Sequence, residues 1–328
     1  MADRVARSAD QVRSPRAEGG GEQAGHLVAP RGAMLRRLLL LAGCIACSAP
    51  APAPDDAAPG PRSLRVVSWN VHDLFDEIDR TAPPGELDTV LEPGEVEEKL
   101  ARVGSVLARL DADVVVLQEV ENLPLLERLA AGPLAAAGYR AFLREGLDPR
   151  GIDVGLLARV PVESVLGHLD DRTPSGIHLW ARDPLEVHLA SGARPVVLLG
   201  AHLVSRLQPA DERRRLQAER LRQLADGLAA GATRPLVMVL GDLNDLPDSD
   251  ALAPLLGDGA LVDLGAMLPA SAAWTWSGGG ATERLDYALV PRADRTAVNR
   301  FAVEQGPDVA AASDHRPLVV DLWLAGPW

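Results

Sequence analysis

The chain has 328 residues, of which 47% are hydrophobic, and a formal net charge of −13; this suits one large α/β domain with a tail and excludes a mostly disordered chain. An acidic surface repels polyanions, so a broad basic face for duplex DNA is not expected without cations or local arginines. Lys99 is the only lysine, and Cys44 and Cys47 are the only cysteines, which excludes Walker-type phosphate loops, Schiff-base chemistry and a thiolate metal cage, so that any metal is held by oxygen or histidine.

Residues 1–47 are predicted to be a disordered N-terminus followed by an export signal. Residues 1–33 are rich in Gly, Arg, Ala and Ser without apolar periodicity. From Met34, a basic cluster, the six-residue apolar run 38–43 and Cys44 follow one another, which resembles a bacterial lipoprotein signal with lipidation of that cysteine. An ordinary secretory signal, or no signal, is the alternative for so short an apolar run. We expect an exported protein, either membrane-anchored through Cys44 or secreted.

Residues 48–62 are predicted to be a linker, because they consist mainly of Pro and Ala and contain too few large side chains to pack. The folded domain is expected over residues 63–326. No other run approaches the ~18 apolar residues that a transmembrane helix needs, so none is expected.

Alternating and continuous apolar runs predict a sheet-rich domain with covering helices. The predicted strands are 64–69, 113–117, 152–157, 195–203, 235–240, 285–290 and 317–324. Apolar residues at helical spacing predict helices over 94–110 and 209–228, the second with an arginine-rich outer face. Strands that alternate with helices early in the chain and crowd together late favour sheets covered by helices, with a site at the strand ends.

Polar residues recur at the ends of these strands. The motifs, in chain order, are Trp69-Asn70, Gln118-Glu119, Ala201-His202-Leu203, Gly241-Asp242-Leu243-Asn244, Asp286-Tyr287 and Ser313-Asp314-His315. Taken singly they are weak signals, since an Asn after a strand is more often a turn residue and an Asp-His pair is usually solvated. Together, and in this order, they are specific.

The six motifs resemble those of the endonuclease/exonuclease/phosphatase superfamily, over residues 64–325. The resemblance implies an α/β fold, the deoxyribonuclease I-like four-layer α/β/β/α sandwich with two central mixed sheets. It also implies a metal-dependent phosphodiester hydrolase. The stretches 70–76 and 148–154 are similar to those of a bacterial branch with exported members.

The metal site that the resemblance implies has Glu119 as principal ligand, with Asn70 and Asp314 beside it. A hard cation, Mg²⁺ or else Mn²⁺ or Ca²⁺, suits carboxylate and amide oxygens. Standing alone, Glu119 would be taken for a surface residue at a strand end. His72 occupies a position where many relatives have an acidic or amide residue, so one metal ion is our expectation.

The catalytic residues implied are His202, Asp242, Asn244, Asp286 and His315. Asp286 would fix the tautomer of His315, and His202 would face the phosphate from the other wall and could act as acid toward the leaving group. Either His315 or Asp242 could be the base for the attacking water, and the sequence leaves this open. The phosphate-binding residues are expected to be Asn70, Arg150, His202 and Asn244, with Asp153 supporting the site.

Three hypotheses remain for the function. The first is an exported nuclease or phosphodiesterase acting on DNA or RNA, and the second is a phospholipid, sphingomyelin-type or other phosphoesterase. The third is a surface lipoprotein with the same fold that only binds. The arginines of 213–222 are expected to form a solvated face neutralised in part by acidic neighbours, and Trp274 and Trp276 a half-buried strand pair. A monomer is expected.

Overall fold

The computed structural model describes residues 62–78, 89–190, 194–207 and 209–324. The predicted signal with Cys44, and the linker up to residue 61, lie outside the described residues. Within these ranges, no helix combines the length and the apolar character needed to cross a bilayer.

Fourteen strands and six α-helices make up the described part of the chain. The strands are β1 (Arg62–Leu74), β2 (Val114–Val120), β3 (Arg140–Leu143), β4 (Asp153–Ala158), β5 (Val162–Leu166), β6 (Leu185–Leu189), β7 (Val196–His202), β8 (Leu236–Asp242), β9 (Leu261–Asp263), β10 (Trp276–Gly278), β11 (Ala281–Glu283), β12 (Asp286–Pro291), β13 (Val298–Val303) and β14 (Leu318–Leu324). The helices are α1 (Pro93–Leu110), α2 (Leu123–Ala131), α3 (Asp211–Ala229), α4 (Ala253–Leu256), α5 (Ala270–Ala273) and α6 (Pro307–Ala312).

Two mixed sheets of six strands form the centre of the domain. The first has the order β13-β14-β1-β2-β4-β3, and the second has the order β5-β6-β7-β8-β12-β9. Each sheet contains one parallel pair, β1 with β2 and β7 with β8, while its other pairs are antiparallel. Strands β10 and β11 form a separate hairpin.

Three apolar layers hold the sheets and helices together. One lies between the first sheet and α1, α2 and α6, the second lies between the two sheets, and the third lies between the second sheet and α3 and α4. Alternate residues of one strand enter different layers: Val66 faces the other sheet and Val67 faces the helices. Helix, sheet, sheet and helix therefore follow one another, which confirms the predicted four-layer sandwich.

Helix α1 shows why the predicted pattern folds as it does. Its apolar stripe is buried against the first sheet: Val96, Leu100, Val103 and Leu107. Pro93 opens the first turn, where its missing N–H is not needed, and the Glu95 carboxylate accepts a hydrogen bond of 3.0 Å from the backbone N–H of Glu92. The helix ends at Asp111 in a left-handed conformation.

Helix α3 departs from the prediction in one respect. Arg214, expected on an exposed arginine face, is buried because its Nε lies 2.7 Å from the Asp245 carboxylate and its fork pairs with Asp211. The prediction of an exposed side chain was wrong for Arg214, because a guanidinium whose donors are all paired can be buried.

The other arginines of the helix are engaged as well. Arg215 lies 2.9 Å from Glu212, Arg220 lies 2.8 Å from Asp171, and Arg222 lies 2.8 Å from Asp258. This run of arginines is therefore no open cationic face for a polyanion.

Candidate active site

The two parallel strand pairs, β1 with β2 and β7 with β8, end at the same place in the sandwich. Asn70 and Gln118 are register partners near the ends of β1 and β2, and His202 and Asp242 are partners at the ends of β7 and β8. In α/β sheets, the carboxyl ends of parallel strands are the usual position of a site. Here both sheets contribute, and Asn70 joins them: its Nδ2 lies 3.1 Å from Glu119 Oε1 and 3.0 Å from Asp242 Oδ2.

A β-bulge aims Glu119 into the site. The pairing of β2 with β4 shifts its register at this residue, whose φ of 63° is left-handed; bulges redirect side chains in this way beside active sites. Its Oε2 accepts a hydrogen bond of 2.9 Å from the backbone N–H of Asp73. Burial disfavours the charged form, yet hydrogen bonds with Asp73 and Asn70 and the charge of Arg150 lower the pKa of Glu119 below its ordinary range.

Asp73 is a site residue that the sequence analysis missed. Burial and the neighbouring Glu119 carboxylate raise the pKa of Asp73 to about 6. Arg150, predicted to bind phosphate, lies with Nη1 3.3 Å from Asp73 Oδ1 and so reaches this acidic pair rather than standing free. Two signals were available: Asp73 follows Asn70 by three residues, and it lies in the stretch 70–76 that is similar to a bacterial branch of the family.

His202 and Asp242 lie at the centre of the site. His202 Nε2 is 3.5 Å from Asp242 Oδ2 and 4.0 Å from Glu119 Oε1. Complete burial, together with the charge of Arg182, lowers the pKa of His202 well below its ordinary value, so the imidazole is neutral. Burial and the Asp286 charge raise the pKa of Asp242 to about 7.

Asn244 orients the Asp242 carboxylate. Its backbone N–H donates to Oδ1 at 2.9 Å, and its Nδ2 lies 3.4 Å from Oδ2 and 3.1 Å from the Leu203 carbonyl oxygen. The backbone of Asn244 is left-handed, with φ of 55°, a conformation that Asn tolerates better than most residues. Its amide protons are thus directed at protein acceptors.

His315 and Asp286 form a buried pair. Nδ1 of His315 lies 2.8 Å from Asp286 Oδ2, and Nε2 lies 3.9 Å from Asp242 Oδ2. Burial opposes the charged imidazole, but the charge and hydrogen bond of Asp286 raise the pKa of His315 to about 10. Ser313 holds the loop, since its hydroxyl donates to the Asn70 carbonyl and accepts the N–H of His315.

Asp314 points to a different set of partners. Its Oδ2 accepts a hydrogen bond of 2.8 Å from Trp276 Nε1, and its Oδ1 lies 3.1 Å from Nδ1 of His72. Trp276 is half-buried in β10. Asp314 is therefore at the edge of the cluster, while Asn70, Glu119, His202, Asp242 and His315 are joined by direct contacts.

One cavity of about 740 Å³ is lined by the site residues Asp73, Glu119, His202, Asp242, Asn244, Asp314 and His315. A second residue that the sequence analysis missed, Arg182, lies in its wall, with Nη2 2.8 Å from Asp148 and Nη1 3.0 Å from the Leu203 carbonyl oxygen. The segment that carries it has no motif, so its place depended on the fold. Arg206 in the same wall pairs with Glu283.

In the described part of the chain, two places offer donors for a divalent cation. Ligand atoms of Asp242, Asp286 and His315 all lie within 4.8 Å of one another, but a protonated His315 held by Asp286 has no lone pair for a metal. Glu119 and Asp73 present carboxylate oxygens to the cavity, the donor type that hard cations prefer. The chemistry of the donors thus favours Glu119 and Asp73 for the cation, and Asp242, Asp286 and His315 for proton handling.

Asp153 lies behind the site in β4, with an Oδ1 that has no hydrogen-bond partner among the described residues. Burial raises its pKa to about 8. Because the folded-state pKa exceeds the unfolded value of about 4, the folded chain retains the proton as the unfolded chain ionises, and stability falls as pH rises from about 4 to 8.

Asp153→Asn should remove this loss of stability at high pH. We expect the substitution to increase the free energy of unfolding at pH 8 by about 3.5 kcal/mol more than at pH 5, measured by urea unfolding at the two pH values. An equal effect at both would show that Asp153 is ionised in the folded protein.

Comparison with known proteins identifies the family of the chain by sequence and its fold by structure. Residues 67–315 match the model of the Endonuclease/Exonuclease/phosphatase family. Among curated proteins, no sequence match to this chain was found.

Solved structures share the architecture at low sequence identity. The human Nocturnin catalytic domain with bound sulfate superposes with a TM-score of 0.59 at 19% identity, covering 80% of this chain and 95% of that chain. TDP2 of D. rerio complexed with a single-strand DNA product gives 0.55 at 20% identity, covering 79% and 98%. An endonuclease/exonuclease/phosphatase family protein of Bacteroides thetaiotaomicron gives 0.57 at 15% identity, covering 80% and 98%.

Proposed function

Because the chain belongs to the Endonuclease/Exonuclease/phosphatase family, a family of phosphoesterases, we propose that it is a Mg²⁺-dependent phosphodiesterase that hydrolyses nucleic acid. The observation that carries the proposal is the cluster at which both sheets meet. There Asn70 bridges Glu119 and Asp242, and His202 and His315 flank Asp242. Phosphodiester hydrolysis is helped by carboxylates that hold a cation and by a general base for the attacking water. It is also helped by imidazoles that donate to the phosphate oxygens.

Asp242 is the proposed general base. His315, with Asp286 on its Nδ1, holds a proton near neutral pH and cannot accept another. Asp242 has a pKa of about 7, so a large fraction is ionised at neutral pH and can take a proton from the attacking water. Of the two candidates for the base that the sequence left open, Asp242 is therefore favoured, because it can accept a proton and His315 cannot.

The imidazoles contact the phosphate in this proposal. The His315 imidazolium donates from Nε2 to a non-bridging oxygen and offsets the charge that develops there. Neutral His202 donates from the facing wall, and Asn244 orients Asp242 rather than touching the substrate. The water oxygen forms a bond to phosphorus as its proton passes to Asp242, and the bond from phosphorus to the leaving oxygen breaks. That oxygen keeps the bonding electron pair and takes a proton from solvent water.

Glu119 and Asp73 would hold Mg²⁺, with Arg150 limiting the negative charge of the pair. When bound, the ion supplies charge neutralisation at the phosphate and at the leaving oxygen. Asn70 directs its Nδ2 at Glu119 and Asp242 and so positions these carboxylates. Asp314 was also predicted as a metal ligand. We propose instead that it positions Trp276 and His72 at the edge of the site.

Nucleic acid is the favoured substrate because the cavity wall combines an aromatic side chain, Trp276, with Arg213, which faces carbonyl oxygens rather than a carboxylate. The fold shared with TDP2 in complex with a single-strand DNA product supports the same choice. One observation favours a phospholipid instead: Leu207, which lines the cavity, is 97% exposed, and an exposed leucine suits a membrane surface.

Export is part of the proposal and rests on the pattern Met34 to Cys44 alone. Cys44 would be lipidated after cleavage, which would anchor the protein to a membrane.

A substrate panel tests the function. The full chain, incubated with plasmid DNA, RNA or sphingomyelin vesicles, should cleave a nucleic acid in Mg²⁺ and lose the activity in EDTA. Cleavage of sphingomyelin alone would identify the lipid enzyme. A protein inert on every phosphoester would favour the binding-only lipoprotein and overturn the proposal.

A further inference from the structure

A second cavity, of about 420 Å³, adjoins the active site, and we call it the flanking cavity. It shares His72, Asp314 and His315 with the active-site cavity. Its other walls come from Lys99, Trp274 and Arg316 and from the segment 306–313. If the reacting phosphate of a substrate lies at His315, the chemical group next to that phosphate can therefore enter the flanking cavity.

Arg316 gives this cavity an open cation. Its guanidinium lies over the ring of Trp274, an arrangement that orients the planar fork. Within the described ranges, its side chain has no hydrogen bond or ion pair. By contrast, Arg150, Arg182 and Arg206 in the active-site cavity each face a carboxylate, and Arg213 there donates to the carbonyl oxygens of Leu179 and His178.

Lys99 adds a second cation to the same cavity. Its Nζ donates to the carbonyl oxygens of His72 at 2.8 Å and Ala312 at 2.7 Å. An ammonium has three protons, so one remains for a ligand. Asp314, the carboxylate in this wall, already faces Trp276 and His72.

We propose that the flanking cavity binds a second phosphate of the substrate, the one next to the scissile phosphate in a nucleic-acid strand, with Arg316 as its main ligand. An arginine fork binds phosphate oxygens in pairs, and each nucleotide of a strand supplies a further phosphate. A phosphodiester with a single phosphate, such as sphingomyelin, cannot use this site. The inference rests on the proposed function and narrows its substrate class.

Short dinucleotides test the proposal. Thymidylyl-thymidine has one phosphate, and its forms with an added 5′ or 3′ terminal phosphate have two. We expect one of the added phosphates to raise kcat/KM about tenfold in the wild type, since a charge-assisted contact of this kind is worth about that factor. In Arg316→Met this ratio should fall to about one, and Arg316→Lys should restore part of it.

The matched control is Arg140→Met. Arg140 also lies over an aromatic ring, that of Phe142, and lines a different cavity, so its substitution should leave the ratio unchanged. A ratio that stays the same in Arg316→Met, or that is about one in the wild type, would overturn the proposal.

A binding measurement separates this inference from the proposed function. If the wild type cleaves neither a dinucleotide nor a nucleic acid of the substrate panel, the proposed activity fails, but the site can still be judged by calorimetry with thymidine 3′,5′-bisphosphate. Arg316→Met should bind this probe about tenfold more weakly than the wild type and Arg140→Met. Equal affinities would refute the second-phosphate site.

Discussion

Replacing Asp242 by asparagine is expected to lower kcat about a thousandfold, the magnitude typical of a lost general base. Asparagine keeps the shape and can still accept the hydrogen bond that the backbone of Asn244 donates, but it takes no proton from water. The measurement is steady-state hydrolysis of bis(p-nitrophenyl) phosphate in Mg²⁺. Folding is checked by thermal unfolding, which we expect to change little.

The pH profile sharpens this prediction. A base must be ionised to act, so wild-type kcat should rise with pH through about 7, the pKa of Asp242. This limb should disappear in Asp242→Asn. Asp321→Asn is the matched control, because Asp321 is a buried carboxylate paired with Arg65 outside the site; it should keep both rate and profile. Loss of the limb in His315→Gln instead would identify His315 as the base.

Replacing Glu119 by glutamine is expected to lower kcat/KM about a hundredfold at millimolar Mg²⁺. Glutamine keeps an oxygen to accept the Asp73 N–H but has no charge for the cation, whose contribution at a phosphoryl centre is several kcal/mol. Raising Mg²⁺ should restore part of the activity. The measurement is a Mg²⁺ titration of hydrolysis in both proteins.

Glu186→Gln is the control for this variant. Glu186 is a buried carboxylate between His168 and His188 in the second sheet, and its substitution should leave the Mg²⁺ dependence unchanged. If Glu119→Gln had wild-type activity at every Mg²⁺ concentration, Glu119 would not be the ligand.

Much of the central fold could be predicted because buried strands have continuous apolar patterns. The predicted strands 64–69, 113–117 and 235–240 fall within or across β1, β2 and β8, and α1 begins one residue before the predicted 94–110. The short edge strands β3, β5 and β9, half-exposed and without clear alternation, could not be distinguished from loops.

The sequence predicted most of the residues that belong to the site, because polar residue types at strand ends indicate chemistry. It did not predict how their side chains are arranged. Sequence motifs named Glu119 and His315, but which groups touch depends on contacts between distant strands. The bulge that turns Glu119 and brings Asp73 beside it is a backbone feature with no motif. The contact between Asp286 and His315 was expected, but the choice between His315 and Asp242 required its length and burial, which keep His315 protonated and which no sequence supplies.

Residues from both sheets are proposed to converge on one phosphate and one divalent ion. A crystal structure of the full chain with thymidine 3′,5′-bisphosphate and Mn²⁺, recorded at the manganese absorption edge, is the decisive experiment. We expect an anomalous peak beside Glu119 and Asp73 and a phosphate within hydrogen-bond distance of His202 and His315. A peak between Asp242 and Asp286, or a phosphate bound outside this cluster, would contradict this proposal.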